Sequence, residues 1–87
     1  MKLYRIYTEK KSLDKIRNLL NVCFECYTII EGQGTWKSKR EASLIIELLL
    51  NGDVNEKRVY AVADSIKVLN KQEAVLITSQ EIETRLI

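Results

Sequence analysis

The sequence predicts an α+β fold in a single domain, and three observations support this. Two segments carry apolar residues at helical spacing, whereas four others are rich in β-branched and aromatic residues, as strands are. These segments follow one another as strand, helix and strand, twice over. The chain has 87 residues, of which 46% are hydrophobic and 30% are charged, so residues 1–87 suit one small globular domain.

The first strand and the first helix lie within the first 24 residues. Residues 3–8 contain Tyr4, Ile6 and Tyr7, which favour a strand. Ser12 is placed to cap a helix, and Asp14 follows in the first turn, where the helix dipole favours a carboxylate. The apolar stripe of this predicted helix consists of Leu13, Ile16, Leu20, Cys23 and Phe24.

The middle of the chain supplies two strands on either side of a polar segment that contains two glycines. Residues 26–31 predict a short second strand, and residues 43–50 predict the third. The third strand is apolar at every even position and also carries Ile45 and Leu49 on its odd face. Because a strand that is apolar on both faces is normally covered on both, it should be central in its sheet.

The last third of the chain predicts a second helix and two further strands. Asn51-Gly52-Asp53 is a turn signal, and Asp53 or Asn55 is placed to cap the helix. Residues 74–78 predict a fourth strand, and the alternating tail predicts a short extra C-terminal strand. The stripe of the second helix consists of Val59, Val62, Ala63, Ile66 and Leu69.

The order of these elements matches the split βαβ, or ferredoxin-like, plan. In this βαββαβ arrangement two helices cover one face of an antiparallel sheet. The other face stays open, although the third strand has apolar residues for it. We therefore expect a second subunit to cover that face, in a closed homodimer or homotrimer, with the C-terminal strand pairing across the interface.

Charge and hydropathy exclude several classes of protein. The net charge is only +2, which gives no electrostatic case for a duplex nucleic-acid binder. No run approaches the roughly 18 apolar residues that a membrane span requires, and the first residues lack the apolar core of a signal peptide. We expect a cytoplasmic protein without membrane contacts.

The sequence offers no catalytic or metal site. It has no histidine, and no carboxylate, lysine or cysteine pair has diagnostic spacing, so we expect a protein that is not an enzyme and has no cofactor. Cys23 and Cys26 have Cys-x-x-Cys spacing, yet zinc would lack two ligands, and a thioredoxin-type pair would open a helix rather than end one. Both cysteines are expected to be structural and buried.

The segment between the second and third strands is the candidate ligand-binding site. Its glycines permit positive φ and a concave nest of amides for an anion, its cations add charge, and its tryptophan can stack on a planar group. A plain hairpin with a solvated loop explains the same residues. The candidate residues are Gly32, Gln33, Gly34, Thr35, Trp36, Lys37, Lys39 and Arg40.

Two carboxylates near this segment are weaker candidates. Glu41 and Glu47 lie at and within the third strand, and Glu47 interrupts an apolar face. A buried carboxylate is costly unless it is paired. We therefore expect a structural ion pair with a lysine or arginine.

The chain resembles the PII-like superfamily of trimeric regulators, which includes the nitrogen-signalling PII and the CutA-type proteins. The resemblance rests on the element order, on Glu31-Gly32-Gln33-Gly34 at the end of the second strand, and on the Leu44-Ile45-Ile46 run that opens the third. PII proteins carry a Gly-x-Gly at the base of a long loop at that place. Gly32 and Gly34 are the residues that match this motif.

The resemblance implies a trimer, in preference to a dimer, that binds small effectors in clefts between subunits near that loop. These effectors are often adenine nucleotides. This chain departs from PII proteins in having a much shorter loop without their modifiable tyrosine. Asn70-Lys71-Gln72-Glu73 also stands where PII proteins have a glycine-rich phosphate-cradling loop, which argues against nucleotide binding of the PII kind.

Two functions follow from these residues, and a purely structural oligomer is the third possibility. The first is a non-catalytic oligomeric regulator that binds a small anionic ligand at a subunit cleft near residues 32–40. The alternative is a protein-interaction module, such as a phage or mobile-element inhibitor of a host factor, in which Trp36 and the neighbouring cations are an exposed hot spot.

Overall fold

A computed structural model describes residues 1–51 and 53–87, without the side chains of residues 53 and 54. The predicted turn at Asn51-Gly52-Asp53 and the cap assigned to the side chain of Asp53 fall outside these described parts. The elements follow the predicted order. They are β1 (Lys2–Glu9), α1 (Leu13–Cys23), β2 (Thr28–Trp36), β3 (Lys39–Leu50), α2 (Asp53–Asn70) and β4 (Leu76–Glu81).

The four strands form one antiparallel sheet in the order β2-β3-β1-β4. Tyr4 lies opposite Leu48 on β3, and Ile6 lies opposite both Ile46 on β3 and Ile77 on β4. The two central strands are therefore β1 and β3, which confirms the position predicted from the two-sided apolar pattern of β3. The fold is the predicted ferredoxin-like α+β arrangement.

The hydrophobic core lies between one face of the sheet and the two helices. Even-numbered residues of β1 and β3 point into it, because successive side chains of a strand alternate between faces. The helical stripes supply the opposite wall, as their spacing predicts. The buried apolar residues are Tyr4, Ile6, Ile16, Leu20, Phe24, Leu44, Ile46, Leu48, Val59, Val62, Ala63 and Ile66.

The other face of the sheet carries no described helix, and we call it the open face. Its side chains are the odd-numbered residues of β1 and β3 and the even-numbered residues of β2 and β4. Leu49 and Leu76 are exposed there at 49% and 59%. Near the centre, Arg5 Nε lies 2.8 Å from Glu47 Oε2, which confirms the predicted ion pair of Glu47.

The ends of two elements differ from the sequence predictions. Residues 82–87 form no strand, although Ile82 N still donates to Met1 O over 3.1 Å. The tail alternates in polarity, but the pairing of β4 with β1 ends at Glu81, and no strand in the described part of the chain pairs with residues 82–87. Ser12 occupies the predicted N-cap of α1, yet it is left-handed with φ of 54° and makes no side-chain cap bond.

The cysteines also differ from expectation. Cys23 ends α1 and packs half-buried against the core, whereas Cys26 is exposed, so the prediction of two buried cysteines is wrong for Cys26. Cys26 lies in the connection before β2 rather than on the core face of a strand.

No helix in the described part of the chain combines the length and the apolar character that crossing a membrane requires.

Candidate functional site: a cavity beside the β2–β3 hairpin

The segment predicted as a loop is a β-hairpin. Gly32 to Trp36 belong to β2, residues 39 and 40 belong to β3, and the pairing runs without a break to Trp36 opposite Lys39. Only Lys37 and Ser38 form the turn, with φ of 49° and 66°. Positive φ at both central residues is the pattern of a type I′ turn, whose twist matches the flanking strands.

This hairpin extends past the end of β1. The pairing of β1 with β3 stops at Glu9 opposite Ser43, whereas β2 and β3 remain paired for residues 33–42. Lys10 N donates to Ala42 O over 2.9 Å just beyond that end. We call residues 33–42 the hairpin arm.

A cavity of about 530 Å³ lies between the open-face side of the hairpin arm and the connection from α2 to β4. Trp36, Tyr7 and Leu76 give it apolar and aromatic walls, and Gly32 and Gly34 lie along β2 at its side. Small-molecule sites are concave, largely apolar and supplied with a few polar groups. The cavity has this character.

The two glycines contribute space rather than unusual backbone geometry. Neither has φ in the left-handed region, so the amide nest that the sequence suggested is wrong. The physical reason is the unbroken pairing with β3, which keeps both residues extended. A Cβ at Gly32 would lie 3.5 Å from Ser43 Oγ, and one at Gly34 would lie 3.8 Å from it, both ordinary contacts.

The charged groups that line the cavity are carboxylates. Glu9, Glu41 and Glu73 line it, and among the described residues no lysine or arginine does. Glu9 Oε2 lies 2.7 Å from Lys11 Nζ, and Glu73 is paired with Lys37. Glu41 forms no ion pair with any described residue, so it is the lining carboxylate whose charge is least compensated.

The cations of the segment therefore lie around the cavity rather than within it. Lys37 Nζ contacts both carboxylate oxygens of Glu73, at 2.8 and 3.0 Å, which places it at the cavity edge. Lys39 and Arg40 are exposed and do not line the cavity. Arg40 pairs with Thr35, so its side chain starts from the face opposite Gly34.

A side-chain network holds the wall that the α2–β4 connection forms. Gln72 Oε1 accepts from Thr8 Oγ1, from Asn70 Nδ2 at 3.1 Å and from Glu9 N at 3.4 Å. Gln72 Nε2 donates to Ala74 O over 3.3 Å. Thr8 and Asn70 are buried, and Asn70 Oδ1 has no hydrogen-bond partner among the described residues. The network fixes this connection without glycines.

The turn that ends α2 positions the same wall. Lys71 is left-handed with φ of 53°, and its N–H donates to Val68 O while Gln72 N donates to Lys67 O. These two bonds define a Schellman motif, which satisfies the last helical carbonyls. The chain leaves the helix at a fixed angle as a result, with Gln72 beside Thr8.

The structure brings together some of the predicted site residues and leaves others apart. Gly32 through Trp36 line the cavity, whereas Lys37, Lys39 and Arg40 do not. Glu41 also lines it, while Glu47 lies elsewhere on the open face. Sequence reasoning missed the lining residues that come from other segments, among them Tyr7, Glu9, Ser43, Ile45, Gln72 and Leu76. Because side chains alternate between the two faces of a strand, the sequence could have placed Tyr7, Glu9, Ser43 and Ile45 on the same face as Gly32.

The described residues contain no group of three or more Asp, Glu or Cys side chains arranged to hold a metal ion.

Tyr60 lies on the exposed side of α2 and donates from its hydroxyl to Glu56 Oε1 over 2.8 Å. This hydrogen bond and the negative charge of Glu56 raise the pKa of Tyr60 above its usual value of 10.0. Tyr60 does not line the cavity, so this shift belongs to the helix surface.

Comparison with solved structures supports the fold. The chain is similar to CPII, a nitrogen regulatory PII-like protein from Thiomonas intermedia K12, whose structure was solved with ADP, AMP and bicarbonate bound. The TM-score is 0.67 and the identity is 18%, over 99% of this chain and 94% of that one. The two chains therefore share the PII-like fold over nearly their whole lengths. Neither a protein-family model nor a curated protein matches the sequence.

Proposed function

We propose that this protein is a non-catalytic, oligomeric regulator of the PII-like kind, acting in the cytoplasm, which binds a small anionic ligand in the cavity beside the hairpin arm. The observation that carries the proposal is the cavity itself. Gly32, Gly34 and Trp36 line it from one strand, and Tyr7 and Leu76 from two others. The fold shared with CPII, a protein with bound nucleotides and bicarbonate, supports the same function.

The open face supports an assembly. Its exposed apolar side chains include Ile30, Leu49 and Leu76, at 42%, 49% and 59%. Ile30 and Leu76 share a row across the sheet with Ile45 and Tyr7, and Leu49 lies beyond the Arg5–Glu47 pair. Exposed apolar side chains grouped on one face are typical of an interaction site. We propose that a second copy of the chain covers this face, in a homotrimer, and that the cavity becomes part of a cleft between subunits.

The arrangement of charges limits how an anion would bind. Glu9, Glu41 and Glu73 repel it from the walls, so its charge must lie at the edge, toward Lys37. A planar part of the ligand would pack on Trp36, where glycines leave the neighbouring strand surface free of side chains. The glycine-free 70–73 connection is held by its own side-chain hydrogen bonds and does not form a phosphate loop. The predicted ligand thus combines a flat apolar group with a peripheral anionic group.

A thermal-shift screen tests this proposal. ADP, AMP, ATP, bicarbonate and pyrophosphate would be compared on the wild type, on Gly34→Leu and on Ala42→Leu. The Gly34 side chain position faces the cavity, whereas Ala42 is exposed on the opposite face of the hairpin arm and gives a matched control. We expect at least one of these compounds to raise the melting temperature of the wild type and of Ala42→Leu but not that of Gly34→Leu. A shift that Gly34→Leu retains would place binding elsewhere, and no shift with any compound would refute this ligand class.

Trp36 is exposed at 49%, as the protein-interaction alternative requires, but the comparison with CPII gives that alternative no support.

A further inference from the structure

Lys37 and Glu73 join two segments that are 36 residues apart in the chain. Lys37 is the first residue of the hairpin turn, and Glu73 lies in the α2–β4 connection and lines the cavity. Lys37 Nζ is within hydrogen-bond distance of both carboxylate oxygens, at 2.8 and 3.0 Å. This ion pair ties the tip of the hairpin arm to the opposite wall of the cavity.

The hairpin arm extends beyond the part of the sheet in which β1 pairs with β3. Beyond Glu9 the arm is a two-stranded ribbon, and Lys10 N to Ala42 O is the backbone bond that links its base to the rest of the chain. Isolated two-stranded ribbons are marginally stable in water. The pair of Lys37 with Glu73 therefore contributes to the direction in which the tip points.

The pair is also weak enough to open. The two side chains are 67% and 64% exposed, so water and salt screen their attraction. An exposed ion pair shifts the ratio of two conformations by no more than about five-fold. A modest competitor for either charge can therefore change which conformation is more populated.

We propose that Lys37 and Glu73 form a reversible clasp, which holds the arm tip against the α2–β4 connection and is opened by ionic strength or by a competing anion. The carboxylate of Glu73 binds the ammonium group of Lys37 at the cavity edge. Glu73 therefore competes with any anionic group that approaches Lys37. The clasp follows from the geometry of the free protein and does not depend on the proposed ligand.

Trp36 reports the state of the clasp, because it is the only tryptophan, precedes Lys37 and lines the cavity. Acrylamide quenching of its fluorescence would be measured between low and high concentrations of NaCl, without any ligand. The variants are Glu73→Gln, Lys37→Met and the charge exchange of Lys37→Glu with Glu73→Lys. Glu83→Gln, in the exposed tail and without an ion pair among the described residues, is the control.

We expect quenching of the wild type and of Glu83→Gln to change with salt. Glu73→Gln and Lys37→Met should resemble the high-salt wild type at all salt concentrations, and the charge exchange should restore the salt response. If Glu73→Gln and the wild type are quenched alike at low salt, or if Glu73→Gln keeps the full salt response, the clasp is refuted. Ligand screening would be unaffected by that outcome, so the two proposals fail separately.

Discussion

Arg5 and Glu47 lie directly opposite each other on β1 and β3, and Arg5 Nε donates to Glu47 Oε2 over 2.8 Å near the centre of the open face. Arg5 Nη1 also donates to Gln80 Oε1 on β4, at 3.3 Å. The side chains of Arg5 and Glu47 are 33% and 27% exposed in the single chain. A charged pair thus stands in the middle of the surface that we propose a second copy covers.

Removal of Glu47 should weaken self-association more than it weakens the fold. In a single chain the pair contributes about 1 kcal/mol, whereas an arginine left unpaired inside an interface costs about 3–5 kcal/mol. Sedimentation equilibrium of Glu47→Ala should show a raised dissociation constant, with the double variant Arg5→Met, Glu47→Leu recovering part of the loss. Glu31→Ala breaks the exposed Lys10–Glu31 pair and is the control. If Glu31→Ala and Glu47→Ala raise the dissociation constant of self-association equally, a second copy does not bury this face.

Gly34→Ala should raise the free energy of unfolding by about 0.5–1 kcal/mol. Glycine in the middle of a strand is destabilising by roughly this amount relative to alanine. A Cβ at Gly34 meets only Ser43, at 3.8 and 3.9 Å, so the substitution adds no clash. Urea denaturation measures the change. A loss of stability would indicate that the residue needs a conformation reserved for glycine.

Lys71→Gly should stabilise the protein by about 1 kcal/mol. Lys71 is left-handed at the end of α2, where a side chain crowds the following carbonyl and glycine does not. Ala61→Gly, on the exposed side of the same helix, should instead cost about 1 kcal/mol. Thermal and urea unfolding of both variants give the comparison. If both glycines destabilise, the Schellman turn does not end the helix as described.

Tyr60 should titrate at higher pH than a free tyrosine, and Glu56→Gln should lower its pKa. The hydrogen bond to Glu56 and the charge of that carboxylate favour the neutral phenol. Because the folded pKa is raised, the contribution of this group to stability is complete below pH 10.0 and is lost as pH rises through the folded value. Absorbance titration at 295 nm of the wild type, Glu56→Gln and Tyr60→Phe isolates the group. An unchanged pKa in Glu56→Gln would contradict this cause.

The sequence predicts the fold well because the apolar periods are long and unambiguous. The two helical stripes and the two-sided pattern of β3 are enough to place the helices on one face and β3 in the centre. The ion pair of Glu47 follows from the cost of leaving a carboxylate alone on an apolar face. The positions of the helices and of β3, and the pairing of Glu47, can be predicted because each depends on the residue pattern within one segment.

The site is harder to predict because tertiary pairing decides it. Residues 32–36 are polar and rich in glycine, as loops are, yet pairing with β3 makes them a strand. The turn falls on Lys37 and Ser38, which carry none of the glycine or asparagine that marks a type I′ turn. Gln72 reaches the buried Thr8 across 64 positions of sequence, and no local pattern foretells such a contact.

The mass of the purified protein in solution tests the central claim most directly, since both the covered open face and the subunit cleft require an assembly. Size-exclusion chromatography with multi-angle light scattering would measure it over a range of protein concentrations. We predict a stable species of three times the 10.1 kDa chain mass. A species that remains at 10.1 kDa at every concentration would contradict the account.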